Sequence, residues 1–427
     1  MKIFKFGGAS VTSAAAVKNV AGILSHFAEE QLILVFSAMG KTTNALEKVV
    51  NAAFYKTPDL KSKISLVKDF HVEIVKSLFD QSSHSCYEQV SRVFKKLEAL
   101  TDQPDCSYDE FYDRIVPLGE ILTTTIISNY LTECGLKNSV IQATEMIATN
   151  NRFRDAAVDW IRTEELITRQ INATKLNQDG QMMITQGFIG FSTDGKTTTL
   201  GREGSDFTAS ILAYCLNAEE VIVWKDVDGL LNADPACFSE TVKIDHISYY
   251  DVIELAFYGA KILHPKTIKP LQNKSIPLRI KSFFHPLASG TLIDNHSSGD
   301  TNVPFFIKKQ DQALVSFVSK DFSFIAEDKL YKLFGVFDQL NLKINLMQNA
   351  AISFTIITND PADKMNAMLD ELKNEFDIRY NRGLELLTIR NFNDLILDVY
   401  FKGKSILLEQ RSRRTIQVAY LPHSTTN

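Results

Sequence analysis

The chain has 427 residues, 46 Lys+Arg against 51 Asp+Glu, a formal charge of −5 and 45% hydrophobic content. That length accommodates two or three domains, each able to bury a core. The mildly acidic balance excludes a dedicated nucleic-acid binder, which needs a basic surplus against phosphate, and the small cluster Arg411, Arg413, Arg414 reads as a solvated turn.

The first predicted element is a short apolar strand, Lys2–Phe6, closed by Gly7-Gly8. A helical pattern over 14–30 follows, with Val17, Val20, Ile23, Leu24 and Phe27 on one face. Residues 31–36 then read as a buried strand. Strand, glycine turn, helix and strand make a βαβ unit, which predicts a parallel sheet. Residues 46–131 are mostly helical in pattern, an all-α insertion in an α/β frame. Buried runs recur at 182–184 continuing to 188–189, at 220–224 and at 276–280, with helical patterns at 155–172 and 206–216. Turn residues crowd into 284–304 and mark a domain boundary. Beyond it come a strand at 313–318, a helix at 327–340, strands at 342–346 and 351–357, and a helix at 361–374. That β-α-β-β-α order is the ferredoxin-like motif. Residues 384–420 hold four more apolar runs with little room for two full helices.

Five dispersed cysteines lack CxxC spacing and eight histidines form no HExxH pair, so the thiols read as reduced and no metal site is expected. The N-terminus lacks a signal-peptide core, and no apolar run approaches the roughly 18 residues of a membrane span. A cytoplasmic protein without membrane partners is the expectation.

Three glycine-containing loops close predicted strands, where open α/β sheets bind ligands. In Lys5-Phe6-Gly7-Gly8-Ala9-Ser10, paired glycines let backbone N–H groups approach an anion that Lys5 can also reach; a plain turn is the alternative. The spacing is neither a Walker A loop nor GxGxxG. Ser37-Ala38-Met39-Gly40-Lys41-Thr42-Thr43-Asn44 offers hydroxyls at a strand-to-helix turn, or merely a cap. Residues 197–206 end in Leu200-Gly201-Arg202-Glu203-Gly204-Ser205-Asp206 before a helix. Arg202 offers a fork for carboxylate or phosphate. Asp206 can cap the helix or orient a lysine. Residues 224–235 follow a strand as a ligand-facing loop, and His264, ahead of Pro265, reads as a structural residue of its turn.

Taken together, residues 5–10, 37–44, Gly119-Glu120, Thr185-Gln186-Gly187-Phe188, 198–206 and 259–265 resemble aspartate kinase, in order and at comparable spacings over roughly the first 290 residues. The resemblance implies an α/β protein: an αβα sandwich of the amino-acid kinase fold with a mostly parallel sheet, plus a C-terminal ferredoxin-like ACT domain. It implies a catalytic domain at 1–298, with an acceptor lobe to about 200 and a nucleotide lobe to 298, and an ACT-like region at 299–427 whose second unit is incomplete. The implied reaction joins ATP and L-aspartate to give ADP and 4-phospho-L-aspartate, the entry to lysine, threonine and methionine. An acceptor carboxylate is already ionised, so no general base is needed and no His/Asp pair is expected. By resemblance Lys5, Asp206 and Lys261 are catalytic. Thr43, Glu120, Arg202 and Ser205 bind aspartate, with Glu120 on its α-ammonium and Arg202 on its α-carboxylate. Lys5, Gly7, Gly8, Ser10, Lys225, Asp226, Leu231 and Lys261 bind ATP, which carries Mg²⁺. A lysine or threonine effector and a homodimer or higher oligomer through the ACT region are implied as well.

The chain also departs from the family form. Ala9 stands for Thr, Glu203 for Gly, Lys225 for Thr, Asp228 for Pro, Leu231 for an aromatic residue and Ala236 for Arg. Glu203 sets a negative charge beside an anion site, which requires its side chain to point away. No homoserine dehydrogenase extension is expected, as no Rossmann fingerprint follows. Another amino-acid kinase of the glutamate type and a catalytically silent ACT sensor are the competing readings.

Overall fold

Apolar alternation and the glycine pair produce the expected βαβ start in this computed structural model, which describes residues 1–81, 83–102, 104–173, 181–260, 262–296, 303–360 and 362–422. β1 (Lys2–Phe6) enters a short 3-10 turn, Gly8–Val11, then α1 (Ala14–Ser25) and β2 (Leu32–Phe36). Ser13 caps α1 by accepting from the Ala16 amide at 3.2 Å. The helix stops at Ser25, short of residue 30, because His26 and Phe27 bond three residues back to Ile23 and Leu24 and tighten the last turn.

Contacts divide the chain into two units. The first comprises Met1–Leu230, Lys243–Ile253 and Ile262–Ser298; the second comprises Leu231–Val242, Glu254–Lys261 and Gly299–Asn427. In the first unit an eight-stranded sheet runs His246–Ser248, Thr291–Asp294, Leu278–Ser282, Glu220–Lys225, β1, β2, Met182–Gln186, Asn138–Val140. Every pairing is parallel except Leu278–Ser282 with Thr291–Asp294. The all-α insertion forms α2 (Thr42–Phe54), α3 (Leu60–Leu78), α4 (Ser85–Asp102), α5 (Tyr108–Ile115) and α6 (Leu118–Glu133). These helices share one core with Phe4, Phe6, Leu34, Phe36 and Trp224 of the sheet. On the other side α8 (Gly204–Leu216), which follows α7 (Trp160–Ala173), packs on β1, β2 and Glu220–Lys225, giving an αβα sandwich.

Register matters for the site. Phe6 pairs with Phe36 and with Trp224 across three adjacent strands. Their rings stack at 5.2 and 5.8 Å between centroids, with planes 12° and 3° apart. This apolar bar fixes the C-terminal ends of the strands from which Gly7, Ser37 and Lys225 emerge. The loops above it are tightly packed. A Cβ on Gly8 would stand 2.8 Å from the Ala38 carbonyl oxygen and 2.9 Å from that of Gly40. Only glycine lets these backbones approach so closely.

The second unit carries a six-stranded antiparallel sheet, in the order Ile344–Asn349, Ser353–Asn359, Phe305–Ser319, Phe376–Arg390, Thr415–Leu421, Ser405–Arg411. Helices Glu327–Gln339 and Ala362–Leu372 pack on its first half around Phe317, Ile356 and Phe376. The other half has one helix of eight residues, Asp394–Phe401, whose Leu397, Tyr400 and Phe401 meet Leu387, Ile389 and Val418. Two ferredoxin-like halves, the second short of helix, are thus fused through the 15-residue strands Phe305–Ser319 and Phe376–Arg390. No helix among the described residues is long and apolar enough to cross a membrane.

Candidate active site

Alternation along β1 sends Phe4 and Phe6 to the helical insertion and leaves Lys5 on the face that α8 covers. Asp206, in the first turn of α8, meets it there. Lys5 Nζ lies 2.5 Å from Asp206 Oδ1, with the two side chains only 10% and 8% exposed. Asp206 therefore orients a lysine and does not cap its helix. Two buried opposite charges hold each other in place, and the ammonium stays fixed near the C-terminal end of the central strand β1.

Around this pair lies a cleft of about 390 Å³ lined by Lys5, Ser37, Thr43, Tyr112, Glu120, Arg154, Phe188, Arg202, Glu203, Ser205 and Asp206, with Gly201 and Gly204. Glu120 comes from the first turn of α6 and is 2% exposed. Gly119 permits this placement, since a Cβ there would lie 2.9 Å from Ala38 Cβ. Glu120 Oε1 accepts from the Ala38 amide at 3.2 Å, and Oε2 is buried with no hydrogen-bond partner among the described residues. Burial pushes this carboxyl up to about 8, against the pull of the Ala38 bond. A buried acceptor lacking a donor is costly, and an incoming cation would relieve it.

Arg202 is exposed, and Ser205 is buried at the start of α8. Gly7 precedes the 3-10 turn, and a Cβ on it would come 3.5 Å from Lys5 Nζ. Ser10 is buried and its hydroxyl donates to the Trp224 carbonyl at 3.4 Å. Lys225 ends its strand with Nζ donating to the Ile262 carbonyl at 2.7 Å. Asp226 follows in the turn. Leu231 belongs to the second unit, and Lys261 lies outside the described residues. His264 has the structural part expected of it: Nδ1 accepts from the Lys266 amide at 3.2 Å and caps the helix Pro265–Asn273.

Sequence reasoning missed Tyr112 and Arg154 as lining residues and named Phe188 only within the 185–188 motif. Arg154 has a left-handed φ of 65° and is anchored three ways. Its guanidinium sits over the Tyr112 ring at 4.6 Å and bonds Asp109 at 3.2 Å. Its amide donates to Asp113 Oδ2 at 3.0 Å. Asp113 is fully buried and also accepts from the Thr199 amide and hydroxyl, while burial lifts it to about 6. The only trace in the sequence is the polar run Asn150-Asn151-Arg152-Phe153-Arg154-Asp155.

Glu203, expected to turn outward, lines the cleft. It takes a left-handed φ of 54° at the N-cap of α8, and its Oε2 accepts from the His264 amide at 2.7 Å. Among the described residues, no group of three or more His, Cys, Asp and Glu side chains is placed to hold a metal ion.

Residues 1–282 match the model of the amino acid kinase family. The lysine-sensitive aspartokinase 3 of Escherichia coli is 30% identical over 359 residues, covering 84% of this chain and 77% of that protein. The solved structure of E. coli aspartokinase III in complex with lysine and aspartate, a T state, superposes with a TM-score of 0.83 at 26% identity, covering 98% of this chain and 95% of that one. Its R-state structure with aspartate and ADP gives a TM-score of 0.79 at 26% identity, over 99% and 96% of the two chains.

Proposed function

The chain belongs to the amino acid kinase family, and from that premise we propose that its cleft is an aspartate kinase site. It transfers the γ-phosphoryl group of ATP to the side-chain carboxylate of L-aspartate, giving ADP and 4-phospho-L-aspartate. The observation that carries this reading is the buried Lys5–Asp206 pair in a cleft that also presents Glu120 and Arg202. The acceptor is ionised at neutral pH, so the site needs no base. It needs positive charge where the phosphoryl oxygens pass and a fixed acceptor orientation. Lys5 supplies the first, with backbone N–H groups of Gly7 and Gly8 beside it. Glu120 takes the α-ammonium, Arg202 the α-carboxylate, and Thr43 and Ser205 complete the acceptor pocket. The turn at Lys225-Asp226 lies on the nucleotide side. Mg²⁺ would be carried on the ATP phosphate oxygens and offset their charge.

An ATP-dependent hydroxamate assay with aspartate beside glutamate tests the assignment. Product is expected with aspartate. Preference for glutamate would overturn the acceptor, and no product with either would leave a silent sensor. The relative from E. coli is described as lysine-sensitive, and the likeness to it extends over the second unit. Lysine is therefore the proposed effector of this chain. Added lysine is expected to lower the initial rate, whereas a flat response to both lysine and threonine would count against regulation by either.

A further inference from the structure

We propose that Glu203 and Lys225 are positioning residues that together clamp the segment Ile262–His264 beside the phosphoryl-transfer site. Two charge-assisted bonds of opposite polarity converge on these three residues. The Lys225 ammonium donates to the Ile262 carbonyl, and the Glu203 carboxylate accepts from the His264 amide, each at 2.7 Å. Each charge thus meets the end of the peptide dipole that complements it. The clamp also ties together three elements. Lys225 ends the strand next to β1, Glu203 precedes α8, and His264 caps Pro265–Asn273, which packs on α8.

Glu203 is exposed and Lys225 half-buried. Glu203 keeps a left-handed backbone, which disfavours any residue with a Cβ. Burial lowers the Lys225 pKa, and Asp206 is the largest influence that holds it up. Lys225 therefore lies in the field of the same carboxylate that pairs with Lys5. Lys266 extends the tether, with Nζ donating to the Leu200 carbonyl at 2.9 Å and to Asp155 at 3.0 Å. Both clamp positions are ones where the chain departs from the family form. One segment accounts for both departures.

The kinetic part of this inference rests on the aspartate kinase reading, and the structural part does not. Hydrogen exchange of the 262–268 peptide, without substrate, and steady-state kinetics would be compared in Glu203→Ala, Glu203→Gln, Lys225→Met and the Glu203→Ala/Lys225→Met double variant. Each of Glu203→Ala and Lys225→Met is expected to speed exchange in that peptide about tenfold and to lower kcat about tenfold. The double variant should lose no more than the worse single one, since both act on one segment. Glu203→Gln keeps an acceptor oxygen and should stay within about twofold of the parent in both readouts. Additive losses, unchanged exchange in Lys225→Met, or a Gln variant as impaired as Ala would each overturn the clamp. A parent chain without aspartate-dependent turnover would sink the function instead, and exchange would still decide the clamp.

Discussion

Lys5→Met is expected to lower kcat by about 10³-fold, because a fixed cation that meets charge in the transition state is worth that much in a water-poor site. Asp206→Asn should approach the same loss by a different route, since the lysine keeps its charge but loses the partner that holds it at 2.5 Å. Stability is a confounder here, because both side chains are buried. Removing one partner leaves the other charge buried and alone, at a cost of about 3–5 kcal/mol. The double variant Lys5→Met/Asp206→Asn separates the two effects. It removes both charges of the pair, so its Tm should recover toward the parent while its rate does not. Thermal melting and initial rates on the three variants provide the check. Retention of more than a tenth of parental kcat in Lys5→Met would remove the lysine from the reaction.

The sequence made that pair readable for a reason rooted in local structure. Lys5 stands two residues before a glycine pair at a strand end, and Asp206 follows a glycine-bearing loop at a helix start. Strand period and turn chemistry place such groups without knowledge of the rest of the chain. Tyr112 and Arg154 could not be found this way. They reach the cleft only because α5 and the segment after Ala148–Thr149 pack together through Asp113, which is a tertiary event.

The second unit shows the same limit. Alternation is legible at 313–318 but fails over Lys308-Lys309-Gln310-Asp311, so the strand reads as starting late. The structure carries it back to Phe305 through register shifts between Lys309 and Leu314, where a bulge keeps the ladder with Phe376–Arg390 going. Conversely, one of the four apolar runs within 384–420, residues 395–401, carries no clear period, and Asn393 makes it a helix by accepting from the Ile396 amide.

Glu120→Gln is expected to raise the KM for aspartate about 100-fold, because a buried carboxylate facing a substrate ammonium loses its charge. The pH dependence is the sharper part. Before aspartate binds, burial holds the Glu120 carboxyl at about 8, so near neutrality it is mostly protonated. An ammonium is bound by the ionised form, so binding releases a proton below that pH. The parent KM should therefore fall as pH rises from 6, by up to about tenfold per unit, and level off near 8. The Gln variant should show no such slope. Stability runs the other way. The folded pKa lies above the ordinary carboxyl value of 4.5, so the folded chain holds a proton that the unfolded chain gives up. Its contribution is complete below about 4.5 and is lost as pH climbs through 8. Glu120→Gln should thus lose less Tm than the parent between pH 6 and 8.5, and added aspartate should stabilise the parent far more than the variant. A parental KM that is flat across this range, together with a Gln variant of unchanged KM, would place the ammonium elsewhere in the cleft.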